Sequence, residues 1–249
     1  MQTAASSYDD PRRGEEIRRI LRSKPFLSRF YEEIYAKYRS QLALCPPRGI
    51  ALELGSGAGF AKSVVPGLVT SDIVAYDGVD RVVDATKLPF EDETLRAILL
   101  WDTFHHIPDV EAFLREADRC LLPGGRLFMT EPYPGWIGAP AYKYLHPEPY
   151  DADTASWSFE TSGPVSGANI PLAWIVFERD LVLFKQKFPR LRLAGYRPHS
   201  PLRYWLSGGL TPWSLLPAAL FPAASLIDRL LIALSPRFAS FVDIEIVKC

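Results

Sequence analysis

The pattern of apolar and polar positions along the chain predicts an α/β protein. Residues 15–35 place apolar side chains at helical spacing among many charged residues, which predicts one or two N-terminal helices. Short continuous apolar runs then follow, and such runs are typical of parallel strands buried on both faces. These runs lie at 50–54, 68–69, 95–101 and 126–130.

The last third of the chain changes its pattern. Residues 191–195 and 241–247 alternate between apolar and polar side chains, which predicts two strands that form a C-terminal antiparallel hairpin. We therefore expect about seven strands in a mostly parallel sheet. Residues 1–48 are predicted to contain a disordered tail, residues 1–13, followed by covering helices. Residues 49–249 are predicted to form a single domain.

A glycine-rich turn follows the first predicted strand. It begins with a carboxylate, Glu53, and continues as Leu-Gly-Ser-Gly-Ala-Gly to Gly59. Glycines let the backbone turn sharply and approach a ligand closely. A dinucleotide fingerprint would need glycine at position 60, which is Phe60. The carboxylate favours an ammonium or sulfonium group over a pyrophosphate, so the pattern indicates a cofactor with a cationic tail.

Acidic residues follow the next predicted strands. Asp72 is placed where a carboxylate would accept hydrogen bonds from ribose hydroxyls, with Asp77 or Asp80 as alternatives if the second strand runs later. Asp84 closes a third strand and Asp102 a fourth, at the sheet edge where ligands of open α/β folds bind. The stretch between Asp72 and Asp84 is too short for the usual crossover helix, so we expect a reduced third strand or a more open adenine side.

From Ile50 to about Pro132 the chain resembles the class I S-adenosylmethionine-dependent methyltransferases, in particular the bacterial small-molecule and lipid methyltransferases of the type 11 kind. The resemblance implies a Rossmann-like fold and S-adenosyl-L-methionine as the cofactor. It implies that Asp84 and the Ala85 N–H meet adenine and that Asp102 lies beside the methionyl tail or the acceptor. The segments that carry it are Glu53–Gly59, Asp72, Asp84–Phe90, Trp101–His106 and Leu121–Leu127, and the predicted cofactor-binding residues are Glu53, Gly55, Ser56, Gly57, Gly59, Asp72, Asp84, Ala85 and Asp102.

Three residues are candidates for a catalytic base. His105 and His106 follow Asp102 directly, and Tyr133 follows the strand that ends near Pro132. Each histidine either accepts a proton or caps the loop by bonding to backbone. A base is needed only if the acceptor must lose a proton, and the sequence does not choose among the three.

Two insertions are predicted to shape the acceptor site. The first, at about 133–185, is rich in proline, glycine and aromatic residues before a predicted helix at 173–184. The second, at about 204–239, contains the stretch Tyr204–Ile227, which has no charged residue but is broken by Pro212, Pro217 and Pro222. That stretch is a lid, a dimer surface or a patch that contacts a membrane, rather than a membrane span. Candidate pocket walls in and beside the first insertion are Tyr133, Trp136, Tyr142, His146, Trp157 and Trp174.

Composition narrows the class of function. The chain has 249 residues and a net charge of −1, so no nucleic-acid partner is expected. Cys45, Cys120 and Cys249 are widely spaced and indicate no disulfide framework, and no metal is predicted. The polar N-terminus argues against a secretory signal, and we expect a cytoplasmic protein with peripheral membrane contact as an option.

The sequence therefore predicts an enzyme that transfers a methyl group by SN2 displacement to a small-molecule or lipid-like acceptor. Two alternatives remain open: a catalytically silent binding or scaffold protein that keeps the fold, which would dock at a membrane through Tyr204–Ile227, and a nicotinamide oxidoreductase. The acceptor and the oligomeric state are not specified by the sequence.

Overall fold

A computed structural model describes residues 10–57, 59–163 and 165–249. Seven strands in this described part form one sheet in the order β3-β2-β1-β4-β5-β7-β6. Strands β1 to β5 are parallel, and β7 runs antiparallel between β5 and β6. The predicted fold, a mostly parallel sheet with a C-terminal antiparallel pair, is confirmed. The strands are β1 Ile50–Leu54, β2 Val69–Asp72, β3 Arg81–Val82, β4 Leu95–Trp101, β5 Leu121–Pro132, β6 Leu191–His199 and β7 Phe241–Lys248.

Helices cover both faces of this sheet. Side chains alternate across each strand, so Leu52 and Leu100 join the core beneath α3, whereas Ala51 and Leu99 join the core beneath α2. Strands covered on both faces have to be apolar throughout, which explains the continuous runs in the sequence. The helices are α1 Arg13–Ser23, α2 Pro25–Leu42, α3 Val110–Cys120, α4 Gly138–Leu145, α5 Leu172–Trp174, α6 Leu181–Lys187, α7 Arg203–Ser207 and α8 Phe221–Leu234.

Helices α1 and α2 confirm the predicted N-terminal helical region. Residues 1–9 of the predicted disordered tail lie outside the described residues, but Arg13 already begins α1. Helix α2 buries Phe30 and Tyr31 against the sheet. The predicted domain boundary near residue 48 stays a prediction.

The connection between β2 and β3 contains no helix, as its length predicts. Residues 73–80 form bends and turns, and β3 itself has only two residues, both exposed. This edge of the sheet is therefore open, and a loop takes the place of the usual crossover helix.

Helix α3 leads directly into β5. Helix α3 ends at Cys120, and the Pro123-Gly124-Gly125 segment lies within β5, where the pairing with β4 shifts register. Gly124 has a φ of +77°, but Gly125 does not share this conformation. Gly125 is tightly enclosed instead, because a Cβ there would lie 2.8 Å from the Leu122 carbonyl oxygen.

The helix expected at 173–184 is divided. Helix α5 is followed by a π-helical turn, Ile175–Arg179, before α6 begins. The amide of Asp180 donates to the Ile175 carbonyl at the end of this turn, and the Asp180 carboxylate accepts from the Trp157 indole at 2.8 Å. The side-chain contact anchors the preceding long loop, which itself contains α4.

The uncharged segment folds as short pieces. Helix α7, a 3₁₀ turn at Ala218–Leu220 and helix α8 follow one another, and no helix in the described part of the chain is long and apolar enough to cross a membrane. Helix α8 begins at Phe221. Asp228 on this helix is buried, and its carboxylate accepts from the Arg203 guanidinium at 2.8 Å.

Candidate functional site

A cavity of about 710 Å³ opens at the carboxyl ends of β1, β2 and β4. This is the edge at which open α/β sheets bind ligands, and the volume lies within the range of small-molecule sites. One end of the cavity is polar and is built from the loops after these strands. Side chains of helix α2 and of the segment from Tyr204 to Leu215 supply most of the apolar lining, and Ile17 of helix α1 lies next to the glycine turn.

The three glycines of the turn after β1 have different environments. All three have positive φ values, +69° at Gly55, +50° at Gly57 and +67° at Gly59. A Cβ at Gly55 would overlap the Thr103 side chain, and one at Gly59 would lie 2.8 Å from the Gly78 carbonyl oxygen. At Gly57 the nearest atom would be the Ile17 Cδ1 at 4.0 Å, across the cavity. Gly55 and Gly59 are thus needed for chain packing, whereas Gly57 leaves room inside the cavity.

Glu53 lies near the end of β1, just before the turn, and does not line the cavity, so its contact with a cofactor stays a prediction. The side chain is 1% exposed, and its Oε2 has no hydrogen-bond partner among the described residues. Burial raises the pKa of Glu53 to about 7, while Ser56 and Tyr38 oppose the rise and Asp72 adds to it. A buried carboxylate with an unsatisfied oxygen is the group that a nearby cation would stabilise.

Asp72 lies at the end of β2 and lines the cavity. Its Oδ2 accepts from the Gly57 amide at 2.8 Å and its Oδ1 from the Val74 amide at 3.1 Å. Burial raises the pKa of Asp72, and these backbone bonds oppose the rise. The alternatives Asp77 and Asp80 are not on the cavity wall. Asp80 instead accepts from the Thr70 amide at 3.0 Å.

The loop after β3 also reaches the cavity. Asp84 and Ala85 line it, together with Val83 and Thr86. The Asp84 Oδ1 accepts from the Thr86 amide at 2.8 Å, which holds this loop in a turn. Among the predicted cofactor-binding residues, only Glu53 and Gly59 do not line the cavity.

Asp102 follows β4 on the cavity wall with a φ of +55°, a conformation rare outside glycine. Burial raises the pKa of this carboxyl to about 6. His105 opposes the rise and Glu131 adds to it. Backbone strain of this kind is concentrated at functional sites.

The two histidines after Asp102 separate into different environments. His105 is 1% exposed and does not line the cavity. Its Nδ1 lies 2.7 Å from Glu131 Oε2 and its Nε2 3.3 Å from Glu148 Oε2. Burial lowers the pKa of His105, but the two carboxylates outweigh it and raise the pKa well above the usual value. A histidine that keeps its proton this strongly is a poor general base.

His106 is the only one of the three predicted catalytic residues on the cavity wall. Its Nδ1 lies 3.0 Å from the Gly167 carbonyl oxygen, which also agrees with the predicted loop-capping alternative. Tyr133 points away from the cavity, into the core beneath α3, with its ring 6.4 Å from that of Tyr196. Tyr133 therefore lies outside the residues that line the cavity.

Most of the residues predicted from the sequence to form the pocket walls do not line the cavity. Only His146 of the six candidates lines the cavity. Tyr142 and Trp157 are buried in the two cores, and Trp136 is 57% exposed elsewhere. The actual apolar walls come from α1, α2 and the uncharged segment, and they include Ile17, Leu21, Tyr31, Tyr35, Trp101, Tyr204, Trp205, Leu210, Trp213 and Leu215.

The sequence pattern did not identify two acidic residues of the site, Glu131 and Glu148. Glu131 lies near the end of β5 and accepts from the Thr103 and Phe104 amides, each at 2.8 Å. Its position at a strand end is the same signal that identified Asp102. Glu148 lines the cavity from the loop after α4, and no sequence pattern marks it.

Residues 52–129 match the family described as methyltransferase domain, type 11. Together with the fold and the cavity at the strand ends, this match defines a class I methyltransferase domain of the kind that uses S-adenosylmethionine. The family match thus applies to residues 52–129 of the chain.

Curated relatives align over a limited segment. A 27-O-demethylrifamycin SV methyltransferase from Amycolatopsis mediterranei is 39% identical over 70 residues, which are 25% of this chain and 26% of that protein. A ubiquinone/menaquinone biosynthesis C-methyltransferase from Desulfotalea psychrophila is 35% identical over 74 residues, 29% of this chain and 28% of that protein. The chain thus spans about a quarter of the length of these relatives.

Solved structures extend the comparison of folds. The geranyl diphosphate C-methyltransferase of Streptomyces coelicolor A3(2) superposes with a TM-score of 0.51 at 15% identity, covering 90% of this chain and 81% of that chain. The overall architecture of the two proteins is therefore shared.

Proposed function

We propose that this protein is an S-adenosylmethionine-dependent methyltransferase whose acceptor is a small apolar or lipid-like molecule. The observation that carries the proposal is the division of the cavity. Carboxylates and the glycine turn form one end, suited to a nucleoside with a cationic tail, and aromatic and aliphatic side chains form the other. The names of the relatives specify small-molecule methyltransferases, which supports this class of acceptor.

The residues at the polar end of the cavity have side chains and backbone groups that suit the parts of the cofactor. Asp72 would hold the ribose diol, Asp84 and Ala85 would meet adenine, and Gly57 and Asp102 would border the methionyl tail. The space at Gly57 is one that a Cβ would fill, and the buried Glu53, whose Oε2 has no hydrogen-bond partner among the described residues, precedes the same turn. Glu53 would then act through its charge, because it makes no contact with the cavity.

Catalysis would depend mainly on orientation. The bound cofactor supplies an electrophilic methyl group, and holding an acceptor in line with it can account for about 7–11 kcal/mol of the barrier. Trp101, Tyr31 and Tyr204 pack edge to face between α2 and the uncharged segment, which makes a rigid wall for the acceptor. An acceptor that must lose a proton would lie beside His106, the predicted catalytic candidate that lines the cavity.

Methyl transfer to apolar acceptors tests this proposal. With labelled S-adenosylmethionine, we expect products from isoprenoid or polyketide alcohols and phenols but not from glycine or other small polar amines. Trp213→Ala should lower kcat/KM for the apolar acceptor by about tenfold, because a large aromatic contact is lost. Trp136→Ala is the matched control, since Trp136 is 57% and Trp213 52% exposed but only Trp213 lines the cavity. A preference for polar amines, or equal effects of both variants, would contradict the acceptor class.

We further propose peripheral membrane contact through exposed apolar side chains of the uncharged segment and of α8. Leu226, Ile227, Leu230 and Leu234 are exposed on α8, and Trp213 and Leu215 are exposed beside the cavity. Asp228 is buried, so the exposed charge on α8 is the cation Arg229. Apolar side chains with a cation and no exposed acid suit an anionic lipid surface. The cytoplasmic location stays a prediction.

Vesicle sedimentation tests this contact. The protein should sediment with phosphatidylglycerol vesicles, and Leu230→Glu combined with Leu234→Glu should weaken binding by at least about tenfold, because two leucines that would enter the lipid are lost. Val182→Glu on α6 is the control, as Val182 is 70% exposed on the opposite face of the sheet. Sedimentation that persists in the double variant would point to a different surface, and absence of sedimentation would remove the membrane proposal.

A further inference from the structure

Three of the four histidines of the chain come together around one carboxylate at the polar end of the cavity. His105, His106 and Glu148 each place a donor atom within 4.8 Å of the others, and His146 Nδ1 lies 3.7 Å from Glu148 Oε2. His106, His146 and Glu148 also line the cavity. The roles proposed for the cofactor do not use Glu148 or His146.

Each of the two adjacent histidines has its Nδ1 fixed as a donor. His105 Nδ1 faces the Glu131 carboxylate and His106 Nδ1 faces the Gly167 carbonyl, and both partners are oxygens that accept. The Nε2 atoms are therefore turned toward Glu148, at 3.3 Å from Oε2 for His105 and 3.5 Å from Oε1 for His106. A histidine whose second nitrogen donates to a carboxylate or a carbonyl is the usual arrangement of a metal ligand.

This arrangement requires positive charge between the three groups. In the neutral imidazoles, both Nε2 atoms would present lone pairs to the lone pairs of the Glu148 carboxylate, which is repulsive. Either a proton on each ring or a metal ion removes the repulsion. Ligand atoms around a tetrahedral ion with bonds of about 2.0–2.1 Å are separated by roughly 3.3 Å, close to the two distances between a histidine Nε2 and a Glu148 oxygen.

We propose that His105, His106 and Glu148 form a site for a divalent transition-metal ion such as zinc, with His146 as a close neighbour whose Nδ1 accepts from the Glu148 amide at 3.4 Å. Imidazole and carboxylate donors suit such ions. Glu131 orients His105 from behind, and the side toward the cavity is where an oxygen atom of an acceptor would complete the coordination. That last contact rests on the proposed methyl transfer, but the metal site does not.

Metal binding to the full chain tests the site directly. Protein stripped with a chelator, in a Cys249→Ser background that removes the exposed thiol, should bind about one equivalent of Zn²⁺ by calorimetry and elemental analysis. Co²⁺ should give the visible absorption of a four-coordinate or five-coordinate ion. Glu148→Gln and His106→Ala should abolish stoichiometric binding, and Glu131→Gln should weaken it by about 10–100-fold.

His199→Gln is the control, because His199 is the remaining histidine and bonds to Asp243 instead. It should keep the ion, and thermal melts should show that every variant is folded. Binding no tighter in the parent than in Glu148→Gln would overturn the proposal. So would an NMR spectrum of the zinc-treated protein in which both Nε2 atoms carry protons. Because the readout is the ion itself, failure of methyl transfer would leave this result unaffected.

Discussion

Gly55→Ala is expected to destabilise the protein by about 3 kcal/mol, whereas Gly57→Ala should cost less stability and abolish cofactor binding. Both positions have positive φ, which costs a non-glycine residue about 1–2 kcal/mol. At Gly55 the new methyl group would also overlap Thr103, and overpacking adds about 1–3 kcal/mol. At Gly57 the methyl group would enter the cavity and occupy space that the ligand needs.

Chemical unfolding and titration with S-adenosylhomocysteine measure the two effects separately. Gly67→Ala is a control for the backbone cost, because Gly67 has a φ of +76° and a Cβ added there would have no neighbouring atom within 4 Å. It should lose about 1 kcal/mol of unfolding free energy and bind normally. Gly57→Ala with unchanged affinity would show that the ligand does not approach this turn.

Glu53→Gln is expected to stabilise the protein above pH 7. The folded-state pKa of Glu53 is raised from 4.5 to about 7, so the native state binds the proton more tightly than the unfolded state does. The unfolding free energy of the wild type therefore falls as the pH rises from about 4.5 to 7, and then levels off. Glutamine does not ionise, so the variant should be more stable by up to about 3 kcal/mol at pH 8 and nearly equal at pH 4.

Thermal or urea unfolding at both pH values checks this result. Asp77→Asn, at an exposed carboxylate off the cavity wall, should change stability little at either pH. We also expect Glu53→Gln to weaken binding of S-adenosylmethionine more than binding of S-adenosylhomocysteine, since both carry an ammonium but only the former adds a sulfonium charge. An equal stability change at pH 4 and pH 8 would show that burial of the charge is not the cause.

The sheet and the polar end of the cavity could be predicted because their signals are local. Continuous apolar runs identify β1 and β4, and the residue after each such run lies at the ligand-binding edge. The reduced β3 also follows from local length, because the stretch after Asp72 cannot hold a helix.

The apolar walls could not be predicted in the same way because they depend on distant packing. The Lys24 ammonium donates to the Gly209 carbonyl at 2.6 Å and the Thr211 carbonyl at 3.0 Å, which joins the α1–α2 corner to the uncharged segment. Such contacts leave no periodicity in either segment. For the same reason the sequence did not indicate the role of Glu148, whose carboxylate contacts His105, 43 residues away in the chain. It also did not indicate the burial of Asp228, which depends on its pairing with Arg203.

The most direct test of the central claim is calorimetric titration of the folded protein with S-adenosylhomocysteine, using NADH as the comparison. We predict micromolar binding of the first and none of NADH. Asp72→Ala should weaken binding by about tenfold to a hundredfold, because a charge-assisted hydrogen bond is lost. Asp77→Ala should leave binding unchanged. No binding to a folded protein would contradict the account and favour a silent protein that keeps the methyltransferase fold.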